Sequence, residues 1–212
     1  MKTLKVKFLL VIASIFLSLP AMAQLQLGAK IGGGLSNYKN INPDSQSRIA
    51  IQGGFLAKYQ LEMGYYRNFR NYIQAELLYS TMGEENGPYK VNVNYLTIPI
   101  MYQHYLSDTD NDFFIEFGPQ VQFVINDKVD HYPSPNPNMP WLGSDNNVLN
   151  KFDIAINGGV GFSYQRKLEL NLRYSWGLVD AWDFKYKDND FNRTSLISLS
   201  LAYVLDFNPH YY

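Results

Sequence analysis

From Leu25 almost to the C-terminus, apolar and polar residues alternate one by one, the spacing of a strand with two unlike faces. Eight such runs are present, at 25–36, 49–66, 72–82, 91–106, 113–125, 152–165, 168–178 and 193–207. The seventh is the sharpest: Leu168, Leu170, Leu172, Tyr174 and Trp176 share one face, and Glu169, Asn171, Arg173 and Ser175 the other. The fourth is the least regular, with Leu96, Ile98, Ile100 and Tyr102 opposite Tyr95, Thr97, Pro99, Met101 and Gln103. No run has helical spacing. Pro99 and Pro119 fall inside the fourth and fifth runs. Proline removes a ladder donor, so a bulge is expected at each.

The connections alternate as well. Those at 37–48, 83–90, 126–151 and 179–192 are long, whereas 68–71, 107–112 and the dipeptide Arg166-Lys167 are short. One rim of the sheet therefore carries loops and the other tight turns. Outer-membrane barrels have this asymmetry, with short periplasmic turns and longer outer loops. An even number of strands returns both chain ends to the turn side. The expected fold is all-β, an eight-stranded antiparallel up-and-down transmembrane β-barrel.

Alternation alone does not separate a membrane barrel from a soluble one, but volume does. The bore of an eight-stranded barrel is just wide enough to be filled by side chains. Here the apolar face is the bulky one, and the opposite face is rich in Gly, Ser, Asn and Gln. The small face fits the axis, which leaves the bulky face for lipid. Charged residues make up 17% of the chain, below the roughly 25–35% of a soluble surface. Tyr65, Tyr66, Phe69, Tyr72, Tyr102, Tyr105, Phe113, Tyr164 and Phe207 lie beside the short turns, where an interfacial aromatic girdle is expected. The same assignment sends Lys30, Lys58, Glu62, Glu76, Glu116, Asp153, Glu169 and Arg173 into the lumen. Buried charges must be paired, so these residues are expected to form a structural polar network of interlocked ion pairs rather than a conduction path.

The first 23 residues read as an export signal. Lys2, Lys5 and Lys7 precede an apolar run from Phe8 to Leu19, and Pro20 leads into Ala21-Met22-Ala23, a small-x-small cleavage pattern. The apolar run is short for a retained spanning helix, which needs roughly 20 residues. Cleavage after Ala23 is expected, leaving residues 24–212 as one barrel domain. The mature chain would hold 15 basic and 19 acidic residues, net −4. That charge offers no basic footprint for nucleic acid. With no cysteine, a disulfide framework and thiol chemistry are excluded.

These strands resemble the PorT-like family of outer-membrane β-barrel proteins of Bacteroidetes-type bacteria. The resemblance runs through Leu27-Gly28-Ala29-Lys30-Ile31-Gly32-Gly33, Ala75-Glu76-Leu77-Leu78-Tyr79-Ser80 and Val93-Asn94-Tyr95-Leu96-Thr97-Ile98-Pro99. It continues in Phe117-Gly118-Pro119, Gly158-Gly159-Val160-Gly161 and Arg173-Tyr174-Ser175-Trp176-Gly177-Leu178. Many relatives have Glu where this chain has Thr97. The resemblance implies an outer-membrane barrel and an association with protein secretion, and it brings no catalytic motif. It also implies that the strands accommodate Pro99 and Pro119.

Catalytic chemistry on such a barrel needs a base, usually His, beside a Ser and an acid. The three histidines are His104, toward the turn side, His131 in the longest loop and His210 in the C-terminal tail. None lies near a patterned Ser–acid pair, so no enzymatic role and no cofactor are expected. Asp108-Thr109-Asp110-Asn111-Asp112 imitates the start of a calcium loop but lacks its central Gly and terminal Glu. It reads as a solvated turn, and no metal site is expected. Asn192-Arg193-Thr194 matches a glycosylation acceptor by chance. The longest loop carries Pro133, Pro135, Pro137, Pro140 and then Trp141. Its prolines favour a stiff extended excursion, which makes it a candidate partner-contact loop. The leading expectation is a monomeric, non-enzymatic structural or interaction component, embedded in outer-membrane lipid and serving secretion or envelope assembly. A small-solute pore or ligand-binding barrel is the alternative.

Overall fold

A computed structural model describes residues 25–39, 46–61, 70–86, 89–130, 132–133, 141–142, 149–180 and 193–205. The export signal, Glu62, Tyr65, Tyr66, Phe69, Pro135, Pro137, Pro140, His131, Phe207 and His210 lie outside the described residues. In chain order the strands are β1 (Leu25–Lys39), β2 (Gln46–Leu61), β3 (Asn71–Asn86), β4 (Tyr89–Tyr105) and β5 (Asp112–Asp130). The short β6 (Tyr132–Pro133) and β7 (Trp141–Leu142) follow, then β8 (Phe152–Tyr164), β9 (Leu168–Gly177) and β10 (Arg193–Leu205). The eight long strands close into one barrel in which each pairs antiparallel with its chain neighbours. β1 and β10 make the closing seam, from Leu27↔Leu205 to Lys39↔Arg193. Closure leaves no open sheet edge within the barrel, the condition lipid imposes on any spanning sheet.

Side chains divide as the alternation demands. Ile31, Ile49, Phe55, Phe113, Leu172 and Leu199 stand on the outer wall. Lys30, Gln52, Lys58, Glu76, Gln122 and Arg173 are buried inside. Contiguous apolar exposure on this scale does not suit water.

The prolines do not bulge their strands. The β4–β5 register is the same at Tyr95↔Val124, Pro99↔Gln120 and Tyr105↔Phe114, and Pro119↔Ile156 is in register in the β5–β8 ladder. Pairs drop out of the ladder just beyond Pro99, but pairing on both sides holds the alignment. The strands also close up there. A Cβ at Gly118 would overlap the Ile100 carbonyl oxygen, so only glycine permits the approach. The register shifts instead at Asn94/Tyr95, and again between β2 and β3 at Ser47/Gln52.

The expected connection at 83–90 is largely strand. β3 and β4 stay paired to Glu85↔Lys90 and Asn86↔Tyr89, with only residues 87–88 between them. β5 likewise pairs with β4 as far as Asp130, whereas its ladder with β8 ends at Phe123↔Phe152. A wall built on β3, β4 and β5 thus rises above the rest of the loop-side rim. On this wall the polarity inverts: Val91, Val93 and Tyr95 point inward while Asn92 and Asn94 point outward. A sheet leaving lipid for water must wet its outer face and dry its inner one. The change of pattern between Asn94 and Leu96 marks that boundary.

At the other rim the β8–β9 turn is Gln165–Lys167, one residue longer than the expected dipeptide. Gln165 and Arg166 both adopt left-handed backbone, with φ of 52° and 51°. Non-glycine residues pay a steric penalty there. Asn111 Oδ1 accepts from the Gln165 backbone N–H at 2.9 Å, and the Arg166 guanidinium donates to the Thr109 and Ser107 carbonyls, each at 3.1 Å. These anchors offset the strain.

Candidate functional site

The lumen is filled in layers. Nearest the turn side, Tyr72, Tyr105 and Phe114 form an aromatic cluster, with ring centroids 5.4 and 5.2 Å apart in successive pairs. Tyr72 and Tyr105 were expected in the outer girdle. They are buried instead, because an inward-facing residue near the rim of a narrow barrel is held among its neighbours across the axis. Tyr59, Tyr102, Phe113, Tyr164 and Tyr203 supply the outward aromatics on this side. The Phe114 ring lies where a Cβ on Gly161 would be. Gly161→Val is therefore expected to evict the ring and destabilise the barrel by about 1–3 kcal/mol, the usual cost of overpacking, read as an earlier urea unfolding midpoint.

Lys58 enters this cluster. Its Nζ donates to Glu169 Oε1 at 2.5 Å and to the Tyr105 hydroxyl at 2.7 Å, and it sits 4.6 Å from the Tyr72 ring centroid. The Tyr105 hydroxyl donates in turn to Glu169 at 2.6 Å. Below them Arg166 places its guanidinium 3.7 Å from the Tyr105 ring centroid, a cation–π contact that closes the turn-side end.

The next layer is a four-residue ion network. Arg173 donates to Glu76 through Nη1 (2.9 Å) and Nη2 (2.8 Å), and to Glu116 through Nε (2.5 Å). Lys30 Nζ reaches Glu76 at 3.0 Å. Gln74 and Gln103 donate to Glu76 and Glu116 at 2.6 and 3.1 Å. These four strand-borne charges, with Lys58 and Glu169, make three positive and three negative groups. The balance lets them leave water without a residual charge.

Asp153 differs from the other acids. Its Oδ2 accepts from Gln122 at 2.6 Å and from Thr194 at 2.8 Å, and no cation among the described residues pairs with it. It belongs to a chain of polar side chains that continues through Gln120 to Asn157. Toward the loop side, Tyr38, Ala50, Met82, Val91, Val93, Tyr95, Leu149 and Leu196 pack into an apolar cluster. The lumen is therefore sealed by apolar side chains at the loop end and by aromatic ones at the turn end. A recess beside Gly33, Ala50 and Ser198 leaves no space for a water molecule.

The turn-side rim is clasped by arginines. Arg70 holds both oxygens of Asp108, at 2.6 and 2.5 Å, and Arg166 reaches Asp112 at 3.4 Å. Two of the acids expected to be solvated, Asp108 and Asp112, are thus latched to neighbouring turns. The Arg70 hydrogen bonds hold the Asp108 carboxyl below its ordinary range. The latch is therefore complete at neutral pH and opens only as acid protonates Asp108. His104 Nδ1 and the Tyr102 hydroxyl both lie against Asn71 Oδ1, at 2.7 and 2.6 Å. On the loop side, Pro133 and Trp141 are register partners in the short β6–β7 pair.

Tyr72, Tyr105, Phe114, Arg166, Gln74 and Gln103 are among the lumen residues that the charge pattern alone did not single out. The alternation does place Gln74 and Gln103 inward. The signal for Arg166 is absent, because its reach depends on the left-handed turn.

A closed barrel with a bulky apolar wall outside and a filled axis inside defines a small integral outer-membrane barrel. The chain belongs to the outer membrane protein beta-barrel domain family, whose model matches residues 19–183. Its place is therefore the bacterial outer membrane, and the outer wall faces lipid. The solved structures similar to this chain include three small barrels. Neisserial surface protein A is 9% identical, with 84% of this chain and 96% of that one covered and a TM-score of 0.49. The outer membrane enzyme PagL is 11% identical, with 82% and 98% covered and a TM-score of 0.48. Ail, the attachment invasion locus protein of Yersinia pestis, is 14% identical, with 86% and 99% covered and a TM-score of 0.48. No curated protein matches the chain.

Proposed function

We propose that this protein is a non-enzymatic barrel that presents its loop-side rim to other components of the envelope. The observation that carries this reading is the lumen. Six mutually neutralising charges lie between an apolar and an aromatic seal. A small-solute pore needs an open bore, and a ligand-binding barrel needs a cavity of roughly 300 Å³ or more. The raised β3–β5 wall extends the rim on the side where partners would be met. The resemblance to PorT-like barrels supports protein secretion as the process served.

Two measurements test it. Purified barrel in planar bilayers is expected to show no large steady conductance, and liposomes carrying it should not swell in sugars. Sustained conductance would replace this reading with the pore. Deleting residues 134–144 is expected to abolish co-purification of a specific envelope partner while leaving the barrel folded. Unchanged co-purification would remove the loop from the proposal. The leader is proposed to be cut after Ala23, and N-terminal sequencing of the outer-membrane form should begin at Gln24.

A further inference from the structure

Just above the lipid boundary, the outer face of the raised wall carries a group of asparagines. Asn92 and Asn94 point outward from β4, and Asn126 on β5 is the register partner of Asn94. Thr81 completes the Asn94 row on β3, and its hydroxyl accepts from the Ile51 backbone N–H at 2.9 Å. The row beneath is Tyr79, Leu96 and Phe123, the top of the apolar wall. Strand spacing and the two-residue repeat set the three asparagine side chains about 5–8 Å apart.

Among the described residues, none of these three amides has a hydrogen-bond partner. Asparagine is one of the residues that strands avoid, and Ser or Thr would wet an outer face as well. An amide differs in offering N–H donors and a carbonyl acceptor side by side, which suits groups that both donate and accept. The height of the face decides what stands beside it. It continues the lipid-facing wall directly, and the loops of such barrels face outward, so its neighbour is the hydrated headgroup layer of the outer leaflet. A phosphate in that layer would call for Arg or Lys, and a protein patch for aromatics, Met or Arg. Lys128 stands a row farther out, opposite Asn92, and is already engaged within the protein. Neutral amides select hydroxyls.

We infer that Asn92, Asn94 and Asn126 bind the saccharide headgroup of an outer-leaflet glycolipid whose acyl chains lie on the wall below. Adjacent ring hydroxyls engage an amide oxygen and N–H together, and the spacing of the three side chains suits a sugar ring with its hydroxyls. The inference rests on the wall and its boundary, and is independent of the loop-side rim meeting a protein partner.

The test uses the full-length barrel in detergent and native mass spectrometry with three probes: lipopolysaccharide truncated to its core sugars, the neutral glycolipid diglucosyl diacylglycerol, and phosphatidylglycerol. Both sugar-bearing lipids should be retained in preference to phosphatidylglycerol. The triple variant Asn92→Ala/Asn94→Ala/Asn126→Ala should bind both at least about tenfold more weakly, the effect of losing three ordinary hydrogen bonds. Its retention of phosphatidylglycerol should not change. Heat-modifiable gel mobility reports whether the variant is a barrel. Should it misfold, the corresponding valine triple, better suited to strands, must show the same loss. Equal retention of phosphatidylglycerol by the native barrel, or undiminished glycolipid binding by a folded variant, would overturn the site. Retention of the lipopolysaccharide but not of the neutral glycolipid would make phosphate the ligand and overturn the sugar assignment. Loss of a co-purifying protein from the variant, with lipid selectivity unchanged, would make the face a protein contact instead. Deleting residues 134–144, which tests the rim, should leave glycolipid retention unchanged, so the two readings fail separately.

Discussion

Arg173→Leu is expected to cost the barrel about 3–5 kcal/mol, the penalty for stranding a buried charge by removing its partner. Arg173 spans the axis from β9 to Glu76 on β3 and Glu116 on β5. Without it two buried carboxylates share the single ammonium of Lys30. One must then be neutralised or hydrated in a space already filled. Urea unfolding in lipid or detergent would read the loss as a lower midpoint, and a reduced heat-modifiable fraction on gels should accompany it. Adding Glu116→Gln to the same variant should recover much of the stability, because Lys30 still neutralises Glu76 and no carboxylate is then left unmatched. If Arg173→Leu alone were no worse than the double variant, the lumen would not be the dry, balanced interior described above. Arg70→Ala provides the contrast. It also breaks a bidentate pair, but with exposed Asp108, and water compensates both ends.

The wall and the lumen differed in how much the amino-acid order disclosed. Strand count, closure, antiparallel order and the inward set follow from the two-residue period, because a strand offers no other way to segregate Leu170 from Asn171. The inward placement of Lys30, Lys58, Glu76, Glu116, Glu169 and Arg173 was legible for the same reason. Who meets whom was not. Arg173 is 97 residues from Glu76 and 57 from Glu116, and the contact depends on the shear of the barrel. Asp153 shows the limit plainly: on the alternation alone it looks like the other buried acids, yet Gln122 and Thr194 reach it where a cation was expected. Periodicity reports the face a residue shares and is silent on the partner across the axis.

Strand ends were misread where the solvent changes. Residues 83–86 and 126–130 lack an apolar outer face, so they resemble loop. They are strand because β3, β4 and β5 continue in water, with Val91, Val93 and Tyr95 packed inside. The irregularity of the fourth run was therefore a signal. Its polarity inverts at the membrane boundary, and one apolar template cannot fit both halves. The prolines erred in the other direction. Losing one donor at Pro99 or Pro119 is not enough to shift a register that long ladders hold on both sides.

The same boundary yields the second large effect. Leu172→Arg places a charge on the outer wall of β9, midway along the apolar band, where its register partners are Val160 and Leu199. A guanidinium there faces hydrocarbon and is expected to cost about 2–4 kcal/mol. Asn94→Arg puts the same side chain on the outer face of β4, on the water side of the boundary, where its register partners are Thr81 and Asn126. Its expected cost is within roughly 0.5 kcal/mol of zero, as for an ordinary surface substitution. Reversible unfolding from lipid vesicles measures both. A wall meant for water predicts the opposite order for Leu172→Arg, which would then relieve an exposed apolar patch and improve solubility without detergent. Equal costs at the two positions would mean that no lipid boundary lies between Asn94 and Leu96. The unequal cost is what a barrel must show when its bulky side chains meet acyl chains below that level and its asparagines meet water above it.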